Sequence, residues 1–182
     1  QNEEIYIYLF ANFYAILNAP FLEGLSYRVN FSPNYRWNNT YDFIKQDINL
    51  DFNNTQASKL NRQDYSWVWE NIVTYNKQLN NNHAFDVTLL YGQNHSKYES
   101  TTANASQLAN ATNGWNDLGL GLLQTVTSTG QAVDGLSSMF RLNYRLKDKY
   151  LATFTVRRDG SSVYAKNNKF ATFPSAALAW IA

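Results

Sequence analysis

The chain has 182 residues, a net charge of +1 and 45% hydrophobic residues. That hydrophobic content excludes a disordered segment, and the near-neutral charge argues against nucleic acid as a partner. Cysteine is absent, which excludes disulfide scaffolds and thiolate metal sites, but aromatic residues make up 16% of the chain. Such an aromatic load is typical of Tyr, Trp and Phe side chains that gather at the two interfaces of a membrane.

The two ends of the sequence give a further expectation. No signal peptide opens the chain, and no run of about 18 apolar residues offers a membrane-spanning helix. Gln1 is not an initiator residue, and Ile181 and Ala182 stop inside an alternating apolar run. We therefore expect residues 1–182 to be an internal piece of a longer protein.

The first segment, Ile5–Leu17, is apolar and aromatic on both parities. Its two faces are poorly separated, so both a strand and a buried helix remain open. Pro20 and Gly24 then predict a turn. After this turn, Leu25–Phe31 alternates apolar and polar residues, which predicts a strand that extends towards Trp37.

Two strands are predicted in the middle of the chain, at Tyr65–Lys77 and around Phe85–Tyr91, with a tight turn at Asn80–Asn82 between them. Polar segments rich in Asn, Ser and Thr flank the pair on both sides. Neither Asn38–Asp64 nor Asn94–Ser137 has a sustained period, so both are predicted to be long loops.

The clearest alternation lies in the C-terminal quarter. Apolar residues occupy every second position of Phe140–Leu146, and Tyr150–Val156 repeats the scheme. Lys147–Lys149 joins the two runs, which predicts a β-hairpin with one apolar and one polar face. A polar loop and a third run, ending at Trp180, follow.

Short and long connections alternate along these predicted strands. Outer-membrane barrels have this asymmetry by construction, and unstructured long loops are uncommon inside compact soluble domains. A strand of about 10 residues tilted near 45° rises roughly 23 Å, close to the apolar band of such barrels. The pattern predicts an all-β, antiparallel up-and-down transmembrane β-barrel; a soluble all-β carbohydrate-binding module, with two sheets packed face to face, is the alternative.

Several segments resemble the β-barrel of the SusC/RagA family of TonB-linked outer-membrane transporters. The most specific lie in the C-terminal quarter: Arg141-Leu142-Asn143-Tyr144, Lys147-Asp148-Lys149-Tyr150, Arg157-Arg158-Asp159-Gly160-Ser161-Ser162, Phe173-Pro174-Ser175 and Trp180. Weaker similarities are Leu22-Glu23-Gly24-Leu25 with Asn30-Phe31, Trp69-Glu70-Asn71, Tyr75-Asn76-Lys77, and His83 ahead of Gly92. The chain departs from the family pattern at Val163, where a basic residue is usual, and at Ala165 and Ala179, where glycine is common.

This resemblance implies a setting for the whole chain. Family membership implies a 22-stranded barrel in the outer membrane of a Gram-negative bacterium, closed by an N-terminal plug and powered by TonB for nutrient uptake. It also implies a SusD-like surface lipoprotein that delivers glycans or peptides. About seven strands cannot close such a barrel, so residues 1–182 are expected to form an incomplete, open and curved sheet, without the plug or the signal peptide.

The polar face of the strands supplies candidate contacts with a solute. If the apolar face meets outer-membrane lipid, alternation turns the other face to the lumen, and the candidate lumen-facing residues are Arg28, Arg141, Asn143, Arg145 and Arg157. The alternative is a plain solvated wall. Arg158 has the opposite parity and is expected on the lipid side near the outer rim, where a guanidinium reaches lipid phosphates. Asp159 and Gly160 are expected to begin a loop, with Asp159 capping backbone amides and Gly160 at positive φ.

Trp115 is the candidate substrate contact in a loop, because its ring can stack on a sugar; an ordinary loop anchor is the alternative. The only two histidines, His83 and His95, lie at opposite ends of one predicted strand, so they are not expected to share a metal. Asp47 and Asp51 have no constrained spacing, and calcium binding there is a weak alternative. We expect no catalytic residues and no cofactor.

Overall fold

A computed structural model describes residues 1–45, 55–108 and 112–181. These residues form eight strands and two short 3-10 helices, Gly114–Asn116 and Leu118–Leu120. The strands are β1 (Asn2–Phe10), β2 (Phe13–Asn18), β3 (Leu25–Ile44), β4 (Gln56–Asn80), β5 (His83–Leu108), β6 (Gly121–Leu146), β7 (Tyr150–Ser161) and β8 (Phe170–Trp180). The all-β prediction is confirmed, and among the described residues no helix is both long and apolar enough to cross a membrane.

All eight strands belong to one sheet. Its order is β1-β3-β4-β5-β6-β7-β8, with β2 also paired to β3. From β3 to β8, strands that follow one another in sequence are thus neighbours in the sheet, as in an up-and-down meander. The registers of β1 and β2 with β3, and of β7 with β6 and β8, are antiparallel.

The first predicted segment is not a helix but two strands, β1 and β2. Both follow the same register on β3, since Phe10 pairs with Asn34 and Phe13 pairs with Phe31. The break between β1 and β2 lies opposite Pro33. The Pro33 carbonyl accepts a hydrogen bond from the Ala11 amide at 3.1 Å, but proline has no N–H to donate to the Ala11 carbonyl. One missing donor therefore accounts for the eighth strand beyond the predicted seven.

The three short turns are confirmed. Gly24, the residue before β3, has a φ of 87°, in the left-handed region that favours glycine. Lys147 and Asp148 both have positive φ, 54° and 51°, and the Lys149 amide donates to the Leu146 carbonyl at 3.1 Å. Two central residues with positive φ form a type I′ turn, whose twist matches that of the flanking strands.

The two long loops are wrong predictions for most of their described length, and residues 46–54 and 109–111 of these segments lie outside the described residues. β3 continues to Ile44 and β4 begins at Gln56, while β5 continues to Leu108 and β6 begins at Gly121. These Asn-, Ser- and Thr-rich segments lack apolar alternation because backbone pairing does not require it where neither face is buried. Residues 122–132 of β6, for example, are exposed throughout.

Backbone contacts divide the chain into two compact units. The first comprises residues 1–10, 34–66 and 96–132. It contains a small buried cluster made of Phe43, Ala57, Ala105 and Leu108. Trp115 and Leu118, in the segment with the two 3-10 helices, pack against this cluster.

The second unit comprises residues 11–33, 67–95 and 133–182. In its β6-β7-β8 part the registers place Leu142, Phe154 and Ala176 in one row and Arg141, Thr155 and Ser175 in the next. Paired residues of an antiparallel sheet lie on the same face, so one face is apolar and the other polar. The apolar face is uncovered, with Phe154 45% and Leu178 86% exposed.

Candidate functional site on the polar face of the sheet

The polar face of β6 and β7 brings together four of the predicted lumen residues. The β6–β7 register places Arg141, Asn143, Arg145 and Arg157 on one face of this ribbon. Asn143 is the most connected of them, since it donates to Asp86 at 3.1 Å and accepts from Thr153 at 2.9 Å. It therefore ties β5, β6 and β7 together on this face.

The three arginines of this group each bind a neighbouring side chain, on the next strand, in the turn or on the same strand. Arg141 donates to the Thr155 hydroxyl at 3.3 Å, and Arg145 forms an ion pair with Asp148 at 2.9 Å. Arg157 donates to both carboxylate oxygens of Asp159, at 3.0 and 2.8 Å. Each guanidinium is partly exposed, and its contacts with the described residues leave N–H donors that a solute can use.

Arg28, the fifth predicted residue, lies on β3 in the same unit. Its guanidinium donates to Asn30 at 2.7 Å and lies 4.9 Å from the centre of the Tyr14 ring. Asn30 in turn donates to the Glu70 carboxylate at 3.2 Å.

A groove of about 450 Å³ runs along part of this face. Its polar lining includes Asn76, Asp86, Asn143, Arg145 and Thr153. It can present carboxylate, amide and guanidinium groups to a solute. Sequence parity predicted Asn143 and Arg145 here, but the other three residues were missed.

Two details of the Arg157–Ser162 segment differ from prediction. Asp159 does not begin a loop, because β7 continues to Ser161 and the Asp159 carboxylate binds Arg157 instead of capping backbone amides. Gly160 is not among the residues with positive φ. An added Cβ at Gly160 would lie 2.4 Å from the Phe170 ring, so a larger residue there requires that ring to move.

The remaining motif residues hold the two strands and their connecting loop. Arg158 lies opposite Ser138, on the face away from Arg157, with its guanidinium 4.6 Å from the centre of the Phe170 ring. The Ser161 amide donates to Lys169 at 3.0 Å, and the Ser162 hydroxyl accepts from the Asp134 amide at 2.8 Å.

In β8, Phe173, Pro174 and Ser175 pair with Arg157, Val156 and Thr155. Trp180 pairs with Tyr150, and the Lys149 ammonium lies 5.5 Å from the centre of its ring. These motif positions therefore contribute strand pairing and ring contacts to the second unit.

Trp115 lies in a different environment from the polar groove. Its ring stacks on Tyr41, with 6.1 Å between centroids and 23° between planes, and packs on the buried cluster of the first unit. This geometry is that of a loop anchor. Contact with a substrate stays a prediction.

The histidines have separate partners. His83 shares a hydrogen bond with the Tyr144 hydroxyl, while His95 pairs with Asp134 at 2.7 Å and stacks on Trp67. No group of three potential metal ligands occurs within residues 1–45, 55–108 and 112–181. Asp47 and Asp51 lie outside the described residues.

The first unit contains a cluster of charged side chains, Arg36, Arg62 and Asp64, that was not predicted from the sequence. Arg36 lies near the end of a predicted strand, and Arg62 and Asp64 lie in a segment predicted to be a loop. Asp64 binds two guanidiniums, Arg36 at 3.3 Å and Arg62 at 2.9 Å. The hydrogen bond from Arg62 is the main reason that the pKa of Asp64 lies below its ordinary value, and the same bond raises the pKa of Arg62. The i, i+2 spacing of Arg62 and Asp64 places both side chains on one face of a strand. This spacing would have predicted their contact if the segment had been predicted as a strand.

Comparisons with known proteins agree with this fold. No family model matches the chain. The TonB-dependent receptor P3 of Formosa agariphila is 33% identical over 176 residues, which cover 85% of this chain and 17% of the receptor. The TonB-dependent receptor SusC of Bacteroides thetaiotaomicron is 60% identical over 40 residues, 22% of this chain and 4% of SusC. The chain thus spans about a sixth of the length of P3.

Solved structures give the same fold. The structure of the RagAB peptide transporter superposes on this chain with a TM-score of 0.79 at 20% sequence identity, covering 97% of this chain and 20% of the matched chain. This identity is low enough that the match concerns the fold alone. Taken together, sequence and fold confirm that the chain resembles the SusC/RagA family of TonB-dependent receptors.

Proposed function

We propose that this chain is part of the barrel of a TonB-dependent transporter in the bacterial outer membrane, and that the whole protein imports oligosaccharides or peptides. In this proposal residues 1–182 are a partial β-barrel domain. The role is transport and not catalysis, and it needs no cofactor.

The observation that carries the proposal is the pair of faces on β6, β7 and β8. The apolar row through Phe154 is uncovered, while the row through Thr155 is hydrogen-bonded and charged. In water an uncovered apolar face of this extent is unfavourable, at about 25 cal/mol per Å². Hydrocarbon removes that cost on one side, and a watery lumen satisfies the polar side.

The strand lengths support the same setting. A strand crosses a bilayer with about 9–11 residues, whereas β3 to β6 have 20 to 26 residues. We assign the bilayer to the part of each strand next to its tight turn. Asp64, sixteen residues before Asn80 at the end of β4, then lies beyond it.

The proposed partners follow from similarity to SusC-like and RagAB proteins. We propose that a SusD-like lipoprotein delivers the cargo at the cell surface, and that TonB acts through a part of the protein outside these residues. On the lumen side we propose that Arg28, Arg141, Asn143, Arg145 and Arg157 line the path of the cargo. Outer-membrane lipid would contact the opposite face.

Cysteine accessibility tests the assignment of the two faces. Phe154→Cys and Thr155→Cys are adjacent and differ only in face, so each serves as the control of the other. In the full-length protein in its native membrane, with other cysteines replaced, we expect a charged aqueous reagent to modify Thr155→Cys and to leave Phe154→Cys unmodified. A spectroscopic label at Phe154→Cys should be quenched by a lipid-phase quencher.

The opposite labelling pattern contradicts the membrane assignment. Recovery of the full-length protein as a monodisperse species without detergent contradicts it as well, and supports a soluble carbohydrate-binding module. Loss of TonB should abolish uptake of a labelled cargo without changing the labelling pattern.

A further inference from the structure

The first unit carries a cluster of guanidinium and phenol groups on one face of its strands. We call it the arginine–tyrosine patch, and its members are Tyr6, Tyr8, Arg36, Arg62, Asp64 and Tyr98. The register of β1 on β3 pairs Tyr8 with Arg36. The Arg62 guanidinium lies 5.0 Å from the centre of the Tyr98 ring, and Tyr6 lies two positions from Tyr8 on the same face of β1, so the patch spans β1, β3, β4 and β5.

The patch has one positive charge in excess. Arg36 and Arg62 share the single carboxylate of Asp64, at 3.3 and 2.9 Å. The two arginine side chains are 46% and 39% exposed, whereas Asp64 is only 23% exposed. A solute therefore meets the guanidiniums and their unused N–H donors before it meets the carboxylate. Asp64 acts as a positioning residue that holds the two arginines together.

The tyrosines present their rings to the same solute. Tyr6 and Tyr8 are 59% and 63% exposed. Their hydroxyls accept hydrogen bonds from Asn38 at 3.0 Å and from Asn34 at 3.2 Å. These bonds fix the rings and leave each phenol proton free to donate to a bound molecule.

The two kinds of group select one class of ligand. Exposed aromatic rings stack on the C–H face of a sugar ring, while a guanidinium binds carboxylate or sulfate oxygens through two parallel N–H donors. A neutral sugar would leave the excess charge unused, and an acidic peptide would leave the row of rings unused. We propose that the arginine–tyrosine patch binds an anionic oligosaccharide that carries carboxylate or sulfate groups.

This inference rests on the proposed transport function and specifies its cargo. The test uses the full-length protein in detergent and isothermal titration calorimetry. The probes are a galacturonic acid hexasaccharide, maltohexaose, chemically sulfated maltohexaose and a hexaglutamate peptide. The two anionic sugars separate carboxylate from sulfate recognition, and maltohexaose is the neutral match of its sulfated form.

Arg36→Gln should weaken binding of at least one anionic sugar by about tenfold, the effect of losing one charge-assisted contact of roughly 1.4 kcal/mol. Tyr8→Leu should weaken the same sugar about fivefold through lost stacking. Lys97→Gln is the matched control, because it removes one positive charge of the same unit that is paired with Glu99 and lies outside the patch. It should leave the affinity unchanged.

The inference is overturned if Arg36→Gln and Lys97→Gln behave alike, if maltohexaose binds as tightly as its sulfated form and the galacturonic acid sugar, or if hexaglutamate binds more tightly than either anionic sugar. Failure to bind any probe overturns it too. In all these cases the transport proposal stands as long as the cysteine labelling pattern holds, so the two failures are distinguishable.

Discussion

At the scale of single residues, one carboxylate is shared by two guanidinium groups. Asp64 binds two arginines, Arg36 and Arg62. Such sharing cannot be read from the sequence, because it depends on strands whose register the letters do not specify. Alternation did identify which residues have the right parity, and Arg141, Asn143 and Arg145 are examples.

Asp64→Asn should lower the stability of the full-length protein at pH 7 by about 1 kcal/mol, since partly exposed ion pairs contribute little more. The pKa of Asp64 is lower in the folded chain. Its contribution is therefore fully present above the unfolded pKa of about 3.9 and is lost as the pH falls through the folded value. The difference between wild type and variant in urea midpoint should shrink in that acidic range.

Glu99→Gln is the control for this measurement, because it breaks a more exposed pair with Lys97. It should shift the midpoint much less at pH 7. An Asp64→Asn difference that persists unchanged below pH 3 would contradict the role assigned to the carboxylate.

At the scale of elements, the tight turns and their hairpins were predictable, and the ends of the long strands were not. The type I′ turn at Lys147 and Asp148 follows from two alternating runs separated by a few polar residues. The continuation of β3 and β5 does not, because Asn- and Thr-rich segments satisfy their backbone in a strand or in water equally well. Only the neighbouring strand decides between the two.

Gly24→Ala should destabilise the turn before β3 by about 2 kcal/mol or more. An alanine there would have to keep a φ of 87°, and its Cβ would lie 1.9 Å from the backbone carbonyl oxygen of Asn76. A left-handed conformation alone costs roughly 1–2 kcal/mol for a residue with a Cβ. Urea unfolding of the full-length protein measures the effect.

Gly119→Ala is the matched variant, because its Cβ would meet only the Asp117 side chain, at 3.3 Å. A small effect there and a large one at Gly24 is the expected result. Equal effects would mean that general backbone entropy, and not the close approach of Asn76, decides the outcome.

Trp115→Ala should loosen the segment that carries the two 3-10 helices. Trp115 packs on the buried cluster and on Tyr41, so its loss should cost about 2 kcal/mol locally. Hydrogen exchange of residues 112–120 should speed up, and Trp115→Phe should restore most of the protection. If cargo affinity falls while exchange stays unchanged, Trp115 is a substrate contact and not an anchor.

At the scale of the whole molecule, the sequence pattern was sufficient for the fold class because alternation with a period of two has few structural solutions. It was insufficient for the strand count, because the predicted segment Ile5–Leu17 is interrupted where it lies opposite Pro33 of β3 and forms two strands, β1 and β2. Most of the candidate site lies on strands whose polar parity is visible in the sequence. The Arg36–Arg62–Asp64 group was missed because part of it lies in a segment without apolar alternation.

Phe154→Arg should reduce the amount of full-length protein in the outer membrane. Near the middle of a bilayer an arginine on the lipid face costs about 2–4 kcal/mol. Thr155→Arg introduces the same charge one position along, on the polar face, and should be tolerated. Immunoblots of outer-membrane fractions compare the two, and equal amounts would argue against hydrocarbon on the Phe154 side.

The unbroken pairing of β6 with β7 has a consequence for how such chains change during evolution. Successive side chains of a strand point to opposite faces of the sheet. One residue inserted between Gly135 and Leu146 would therefore move every later side chain of the strand to the other face, or force a β-bulge. Two inserted residues would restore the original orientation. Insertions and deletions that distinguish related proteins should therefore contain an even number of residues within these paired segments. Beyond the last paired residues, any number should be tolerated.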